Sequence, residues 1–464
     1  MSRAPRGSRS DSCGPVLPFR VVVLGDLSSS LDLWQCCGRL DRKKQNGAGM
    51  RIVVLGAGLL GVTSAYYLAK EGHEVTVIDR RPEPARETSF ANAGLVSPGH
   101  ASSWASPRAP LILLKSLWRN DTSLRYRLKL DPRMWLWSLQ FLRNCTHVRN
   151  RAATLSKMKL CLYSQGETLR VGNMEGIAWD RIAKGALYVY SDAGHFREGK
   201  ENMRFLADQG IASEVLDVDQ LIALEPGFTH ARDKLVGAVH TPGDESGDAR
   251  KFTLGLAERC QAMGVDFRFG ATIQRIESNG KRVTGILTDQ GILSGDQYVL
   301  ALGSYAPLLT RPIGFNLPIF PVKGYSVTLP IADPAQAPTI GGVHEDHLVA
   351  FSRLGDRLRL TATADFAGYD TEFEPGNFSH MLRVARDMFP NAALYDRPDY
   401  WACLRPMTPD GPPIMGASPL PNLWLNAGHG HMGWTMACGS SRILVDRMMG
   451  RQPELDDMPF RYGR

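Results

Sequence analysis

Four short segments of the 464-residue chain carry residue types and spacings suited to chemistry. The first, Gly56-Ala57-Gly58-Leu59-Leu60-Gly61, fits G-x-G-x-x-G. In that pattern the first glycine makes a tight turn and the second lets a pyrophosphate approach the backbone. The third permits close helix packing, and the helix N-terminus attracts the anion. Asp79, 18 residues past Gly61, can accept hydrogen bonds from a ribose. The pattern predicts a dinucleotide site and does not separate FAD from NAD.

The second segment, Thr88 to Leu95, is rich in small and amide-bearing residues, Ser89, Asn92 and Gly94 among them. It reads either as a lining for the cofactor's phosphates or flavin edge, or as a surface loop. The third, Asn426 to Gly433, places Gly428, Gly430 and Gly433 before a helix, a backbone-donor nest. Such an N-terminus aimed at the N1–C2=O edge of a flavin would stabilise the negative charge created by reduction. His429 and His431 in the same segment invite a metal, but no third ligand accompanies them, and none is expected. The fourth, Leu404 to Gly411, holds Arg405 among prolines. It is either a bidentate partner for a substrate carboxylate or half of a structural pair with Asp410.

The elements that position these residues follow from periodicity. Met50 to Leu55 is a strand running into glycines. Val62, Ala65, Tyr66 and Ala69 recur at i, i+3, i+4 and i+7, one face of a helix, and Glu74 to Ile78 is a second strand ending at Asp79. This βαβ opening predicts a doubly wound α/β sheet. Residues 110–175 read as helical, and 315–375 as antiparallel strands with Pro-rich turns. Asp266 to Ile276, the Asn279-Gly280 turn and Val283 to Thr288 read as one hairpin. Met134 to Leu142, flanked by Arg133 and Arg143, reads as a core helix or as one that docks on a membrane surface or a partner. His344-Glu345-Asp346-His347 reads as a solvated turn.

Composition narrows the classes. With 43% hydrophobic and 22% charged residues the chain is an ordinary globular one. No apolar run reaches the roughly 18–20 residues of a membrane span. Residues 1–49 hold eight basic and four acidic side chains, so more than half of the net charge of +7 sits there and the other 415 residues carry +3. Without a basic stripe through the body, no nucleic-acid partner is expected. The eight cysteines form no Cys-x-x-Cys pair, which fits a reducing cytoplasm. Residues 1–49 lack periodicity and are expected to be a leader outside the folded body, with Met50 the true start.

Taken together, VVLGAGLLGVTSAYYLAKEGHEVTVID, TSFANAGLVSPG, PGDESGDARKFT, ALGSYAPLL, PVKGYSVTLP, SRLGDRLRL, LRPMTPDGPPIMG and NAGHGHMGWTMACGSS resemble the small-subunit type of bacterial D-amino acid dehydrogenase, in the D-amino acid oxidase and glycine oxidase superfamily. The resemblance runs from Met50 to about Gly450 and implies FAD rather than NAD. It maps the nucleotide stretch onto Ile52, Val53, Val54, Leu55, Gly56, Ala57, Gly58, Leu59, Leu60, Gly61, Val62, Thr63, Ser64, Ala65 and Tyr66, and an adenine contact onto Ile273. It gives Arg405 the substrate carboxylate and places Tyr325 where relatives close the substrate pocket. His431 stands where relatives usually have Thr, Ala249 where they often have Cys, and Thr361 to Ala364 where they have a Gly-rich strand. Those departures bear on substrate preference.

The expected architecture is an FAD-binding Rossmann-like domain (50–100, 240–312 and 400–464) interleaved with a mostly antiparallel α+β substrate domain (101–239 and 313–399). The expected reaction is oxidation of a D-amino acid, D-alanine first, to a 2-oxo acid and ammonia, with electrons passed to a quinone or another respiratory carrier. Arg405, Tyr325 and His431 form the expected substrate site. The rivals are an oxygen-using amino acid oxidase and a flavin-binding protein without turnover. A cytoplasmic location is expected, with peripheral attachment to the inner membrane as a further possibility.

Overall fold

The structure is a computed structural model that describes residues 49–116, 124–126 and 130–464. The expected leader, apart from Gly49, lies outside the described residues. The first sheet has six strands in the order Ile414–Ala417, Leu423–Ala427, Gln297–Leu300, Arg51–Leu55, Glu74–Asp79, Asp266–Phe269. All are parallel except the Ile414–Ala417 edge. Its central strands are β-branched and aliphatic because both faces are covered. Helices Leu59–Lys70, Ala249–Ala262 and Gly433–Met448 bury one face through Val62, Tyr66, Phe252, Leu256, Ala437 and Leu444.

The other face is covered by an antiparallel sheet of Ile273–Ser278, Val283–Thr288 and Gly291–Leu293, where a doubly wound sheet would carry helices. The expected Asp266–Ile276 hairpin strand is thereby split. Asp266–Phe269 joins the parallel sheet, the chain turns at Gly270 (φ +69°), and only Ile273–Ser278 pairs with Val283–Thr288. A local alternation cannot distinguish one long strand from two short ones on different sheets.

The second sheet has nine strands and is mostly antiparallel, running Asp399–Met407, Phe320–Pro330, Arg357–Asp365, Val349–Leu354, Gly341–His344, Ala186–Tyr190, Gly237–Thr241, Glu214–Leu216, with Leu124–Arg125 added beside Arg357–Asp365. Helix Ser379–Met388 and the Pro226–Lys234 turn cover one face, packing Phe228, Phe378, Met381 and Phe389 on Leu187, Val327 and Leu360. The boundaries read from sequence shift here. Asp399–Met407 pairs with Phe320–Pro330 along nine residues, so the segment expected to begin at 400 returns to the parallel sheet only after Met407. Gly237–Thr241 likewise belongs to this sheet.

The joint between the halves of the large sheet is the parallel pair Gly341–His344 and Ala186–Tyr190. A Cβ on Gly342 would lie 2.0 Å from the Leu187 carbonyl oxygen, a backbone atom that cannot swing aside. Overpacking of this kind costs about 2–3 kcal/mol. Gly342→Ala should lower the thermal midpoint by about 5 °C. A melt identical to the natural protein's would mean that the joint is not held as described.

Candidate active site

Between the two sheets lies a cavity of about 510 Å³. One part is bordered by Asp79, Arg80 and the Ala271–Ile273 backbone, with the Arg80 guanidinium 4.3 Å over the Tyr305 ring. Another part is bordered by His100, Trp104, Arg405 and His431. The loops of both glycine segments run along it.

Gly56 has φ +105°, and a Cβ there would lie 2.8 Å from the Ala301 carbonyl oxygen. At Gly61 a Cβ would lie 1.8 Å from the Gly56 carbonyl oxygen, so only glycine lets the helix sit on the loop. Helix Leu59–Lys70 therefore begins at the cavity, with a glycine N-cap that has no side chain to occupy its first N–H groups. Asp79 accepts from Ala57 N–H at 2.7 Å and from Arg81 N–H at 2.8 Å while bordering the cavity. Desolvation raises its pKa.

Of the stretch Ile52 to Tyr66, only Gly56, Gly58, Leu59 and Leu60 reach the cavity. Ile52, Val53, Val54, Leu55, Ala57, Val62, Ala65 and Tyr66 are core residues, each exposed by 4% or less. Thr63 and Ser64 turn to Ser441 on the last helix, with Thr63 Oγ1 2.7 Å from Ser441 Oγ. A strand and a helix thus present one edge to the cavity and bury the rest. Ile273, by contrast, borders the cavity.

The Thr88–Leu95 segment is a cavity wall. Ser89 Oγ accepts from Leu59 N–H at 3.1 Å, Asn92 Oδ1 accepts from Gly94 N–H at 3.0 Å, and all three residues border the cavity. In the second nest Gly428 and Gly430 have φ of +79° and +56°, and Gly430 N–H donates to Pro406 O. Helix Gly433–Met448 starts there without a side-chain cap. His429 and His431 diverge. His429 Nε2 is 3.0 Å from Ser440 Oγ, and burial pushes its pKa down to about 3. His431 lies flat on Trp104 at 4.9 Å, and its Nε2 has no hydrogen-bond partner among the described residues. Burial, reinforced by Lys157, His100 and Arg405, keeps His431 neutral.

Arg405 enters from the Asp399–Met407 strand. Its guanidinium lies directly over Gly324, where a Cβ would meet Cζ at 2.4 Å. Nη1 donates to the Thr363 carbonyl oxygen at 2.6 Å. Asp410, the alternative partner, is instead held by Arg464 at 2.8 and 3.1 Å. No carboxylate lies within 4 Å of Arg405 among the described residues, and burial pushes its pKa down to about 10. Tyr325 borders the cavity, while its ring packs edge-on against Phe378 and its hydroxyl donates to Asp365 Oδ2 at 3.1 Å. Alternation along the strand puts Gly324 and Ser326 on the Arg405 face and Tyr325 in the core behind it.

Four neighbours were not singled out from sequence. Trp104 supplies the ring under His431. His100 stacks on Tyr188 at 5.3 Å, and Glu345, 3.1 Å from its Nε2, outweighs burial and raises its pKa. Asp244 accepts from Tyr188 Oη and Gly99 N–H, and desolvation pushes it up to about 6. The His344–His347 segment, expected as a solvated turn, is tied inward, with His344 buried and 3.0 Å from Ser191 Oγ. Lys157, 2% exposed, donates to Ser102 O at 3.0 Å and borders a small void behind His431 and Trp104.

Desolvation pushes Lys157 down to about 8 from an ordinary value near 10.5. Its charge therefore weighs against the fold below pH 8 and is relieved as pH rises from about 8 to 10.5, where the unfolded chain holds a proton that the folded chain has lost. Across that window the unfolding free energy of the natural protein should rise relative to Lys157→Met by about 1.4 kcal/mol per pH unit. Urea melts at pH 8, 9 and 10 read this directly, and parallel lines would exclude a titrating Lys157.

The chain matches the FAD dependent oxidoreductase family over residues 51–447. It is 45% identical over 415 residues to D-amino acid dehydrogenase 2 of Mesorhizobium japonicum, covering 89% of this chain and all of that protein. It is 43% identical over 416 residues to a D-amino acid dehydrogenase of Dechloromonas aromatica, covering 89% and 99%. Among solved structures, glycine oxidase from Geobacillus kaustophilus superposes with a TM-score of 0.69 at 21% identity, over 89% of this chain and 99% of that one. L-proline dehydrogenase from P. horikoshii superposes at 0.66 and 17% identity, over 87% and 94%, and both show the shared fold. With the glycine nest, the acidic strand end and the two helix starts all at one cavity, these likenesses place the chain in the FAD-dependent oxidoreductase family, with FAD as its cofactor.

Proposed function

We propose that the chain oxidises D-amino acids, D-alanine foremost, to 2-oxo acids and ammonia, and that Arg405 holds the substrate carboxylate. The observation that carries this reading is the Arg405 guanidinium at the cavity wall with only a neutral carbonyl for a partner, while Asp410 is engaged by Arg464. A carboxylate is the natural bidentate partner for such a fork. The D-amino acid dehydrogenase names of the curated relatives support the substrate class.

The lining suits FAD. Gly56, Gly58 and the start of the Leu59–Lys70 helix would hold the pyrophosphate, Asp79 the ribose, and Ala271 to Ile273 the adenine, since all of them border the cavity. Asn426 Oδ1 and Trp401 Nε1, buried at the cavity without hydrogen-bond partners, offer an acceptor and a donor to the flavin end. When bound, FAD supplies the two-electron acceptor for the Cα hydrogen. The chain's part is orientation and charge. Arg405 fixes the carboxylate, and neutral His431 offers Nε2 to the substrate amine. The positive cluster of Arg405, His100 and Lys157 favours an amine that binds without its extra proton. The stacked rings of Trp104 and His431 wall one side of the cavity against water.

The onward acceptor in this reading is a quinone or another respiratory carrier at an anionic bilayer. Helix Pro132–Asn144 supports it. Met134, Trp137 and Phe141 face inward, while Leu136, Leu139 and Leu142 are 45–53% exposed beside exposed Arg143 and Arg149.

Removing one partner of a largely buried charge pair costs about 2–5 kcal/mol, or roughly 30-fold to a few thousand-fold in kcat/KM. Arg405→Ala should keep its flavin and melting temperature but lose D-alanine kcat/KM by that factor, and Arg405→Lys should recover part of it. A variant with near-natural kcat/KM would hand the carboxylate to another residue. For the carrier, dye-linked turnover should far exceed peroxide formation in air. Leu136→Glu/Leu139→Glu should abolish sedimentation with phosphatidylglycerol vesicles while sparing dye-linked kcat/KM. Comparable peroxide and dye rates would identify an oxygen-using oxidase, and undiminished sedimentation would place any membrane contact elsewhere.

A further inference from the structure

Four non-glycine residues among those described have positive φ: Ala85, Asp180, Leu348 and Thr363. Thr363, at +63°, is the β-branched one, and branching at Cβ makes this conformation especially unfavourable. It sits in a bulge. Across the Phe320–Pro330 and Arg357–Asp365 pair, Tyr325 opposes Ala362 and Lys323 opposes Asp365, so Thr363 and Ala364 together face the single residue Gly324. Two of these positions, Gly324 and Thr363, make the Arg405 seat. Gly324 leaves room for the guanidinium, and the turned Thr363 peptide presents its carbonyl to Nη1 at 2.6 Å. Thr363 is 5% exposed and borders the cavity.

An arginine fork has five donors on a flexible stem, and any carboxylate in reach would orient it by neutralising it. A carbonyl orients it without cancelling its charge. We propose that Thr363 is a positioning residue whose strained backbone holds its carbonyl as a neutral tether for Arg405, fixing the fork while leaving its charge for the substrate carboxylate. Strain of this kind persists where the surroundings over-determine it, and a β-branched residue has fewer other backbone conformations to move into than glycine. The proposal rests on the reading that Arg405 binds that carboxylate.

The test uses the full-length holoenzyme and compares Thr363→Gly, Thr363→Val and Arg405→Ala. Melting temperature, D-alanine KM and kcat, and benzoate affinity by flavin absorbance are measured for each. Glycine removes the strain and frees the peptide. Thr363→Gly should therefore melt about 1–4 °C higher, yet bind benzoate about three- to tenfold more weakly, with KM raised alike and kcat within about twofold. Thr363→Val keeps the branched Cβ without the hydroxyl and should retain natural affinities. If Thr363→Gly does not retain flavin, Thr363→Ala carries the same comparison, with a smaller change in each value. Natural benzoate affinity and KM in Thr363→Gly, or equal loosening in Thr363→Val, would overturn the tether. Arg405→Ala separates the two claims. Lost benzoate binding there, beside unchanged Thr363→Gly, sinks the tether alone, whereas retained binding sinks the carboxylate reading beneath it.

Discussion

A guanidinium drawn out of water with no carboxylate beside it is the constraint around which the site is built. Taking a charge out of water is expensive unless dipoles or counter-charges replace the lost solvent. Arg405 has a carbonyl at 2.6 Å, and the acid closest to it in sequence, Asp410, is locked to Arg464. Two imidazoles of the neighbouring glycine-rich loop add no charge of their own. His429 and His431 both have strongly lowered pKa values. Only a strand anchored along nine paired residues could hold such a group steady, and the Asp399–Met407 strand is paired in that way.

The opposite wall answers the same cavity with dipoles. Helices Leu59–Lys70 and Gly433–Met448 both start there, each after a glycine-rich loop, and a hydrogen-bonded knot fastens them together: Thr63 and Ser64 with Ser441, and Ser441 and Ser64 with Asn426 Nδ2. Small hydroxyl residues at that crossing allow the helix axes to approach. Two N-termini then converge on one volume with their partial positive charges aligned.

How much of this was legible in the sequence depended on the range over which each feature is encoded. The Gly56–Gly61 loop, Asp79 and the nest at Gly428–Gly433 are local, because turn, helix start and strand end lie within a few residues of one another. Arg405 was visible as a charge on a stiff turn, but whether Asp410 neutralised it depended on Arg464, 54 residues away. The face on which the Tyr325 ring lies was hidden because strand alternation assigns faces only relative to a register, and the pairing of Val322 with Arg405 sets that register across two distant strands. The split at Gly270 was hidden because two short strands on different sheets alternate like one long strand. Trp104, His100 and Lys157 meet His431 only in three dimensions, and Thr363 carries no sequence mark of its φ.

The interleaving of the two sheets also shapes how the chain can assemble. The Arg51–Leu55 strand pairs with Gln297–Leu300, and Arg51 hydrogen-bonds Asp296 across 245 residues, while the last strands of the parallel sheet follow Met407. The nucleotide half is thus non-contiguous, and its final strand and helix come from the end of the chain. Loop closure on this scale must precede the contacts that reward it, so the topology implies high contact order and slow folding. During synthesis the first βαβ unit emerges long before its neighbours. Its exposed strand edges must stay unpaired until the C-terminus is released, and that wait is the window in which the nascent chain is open to aggregation.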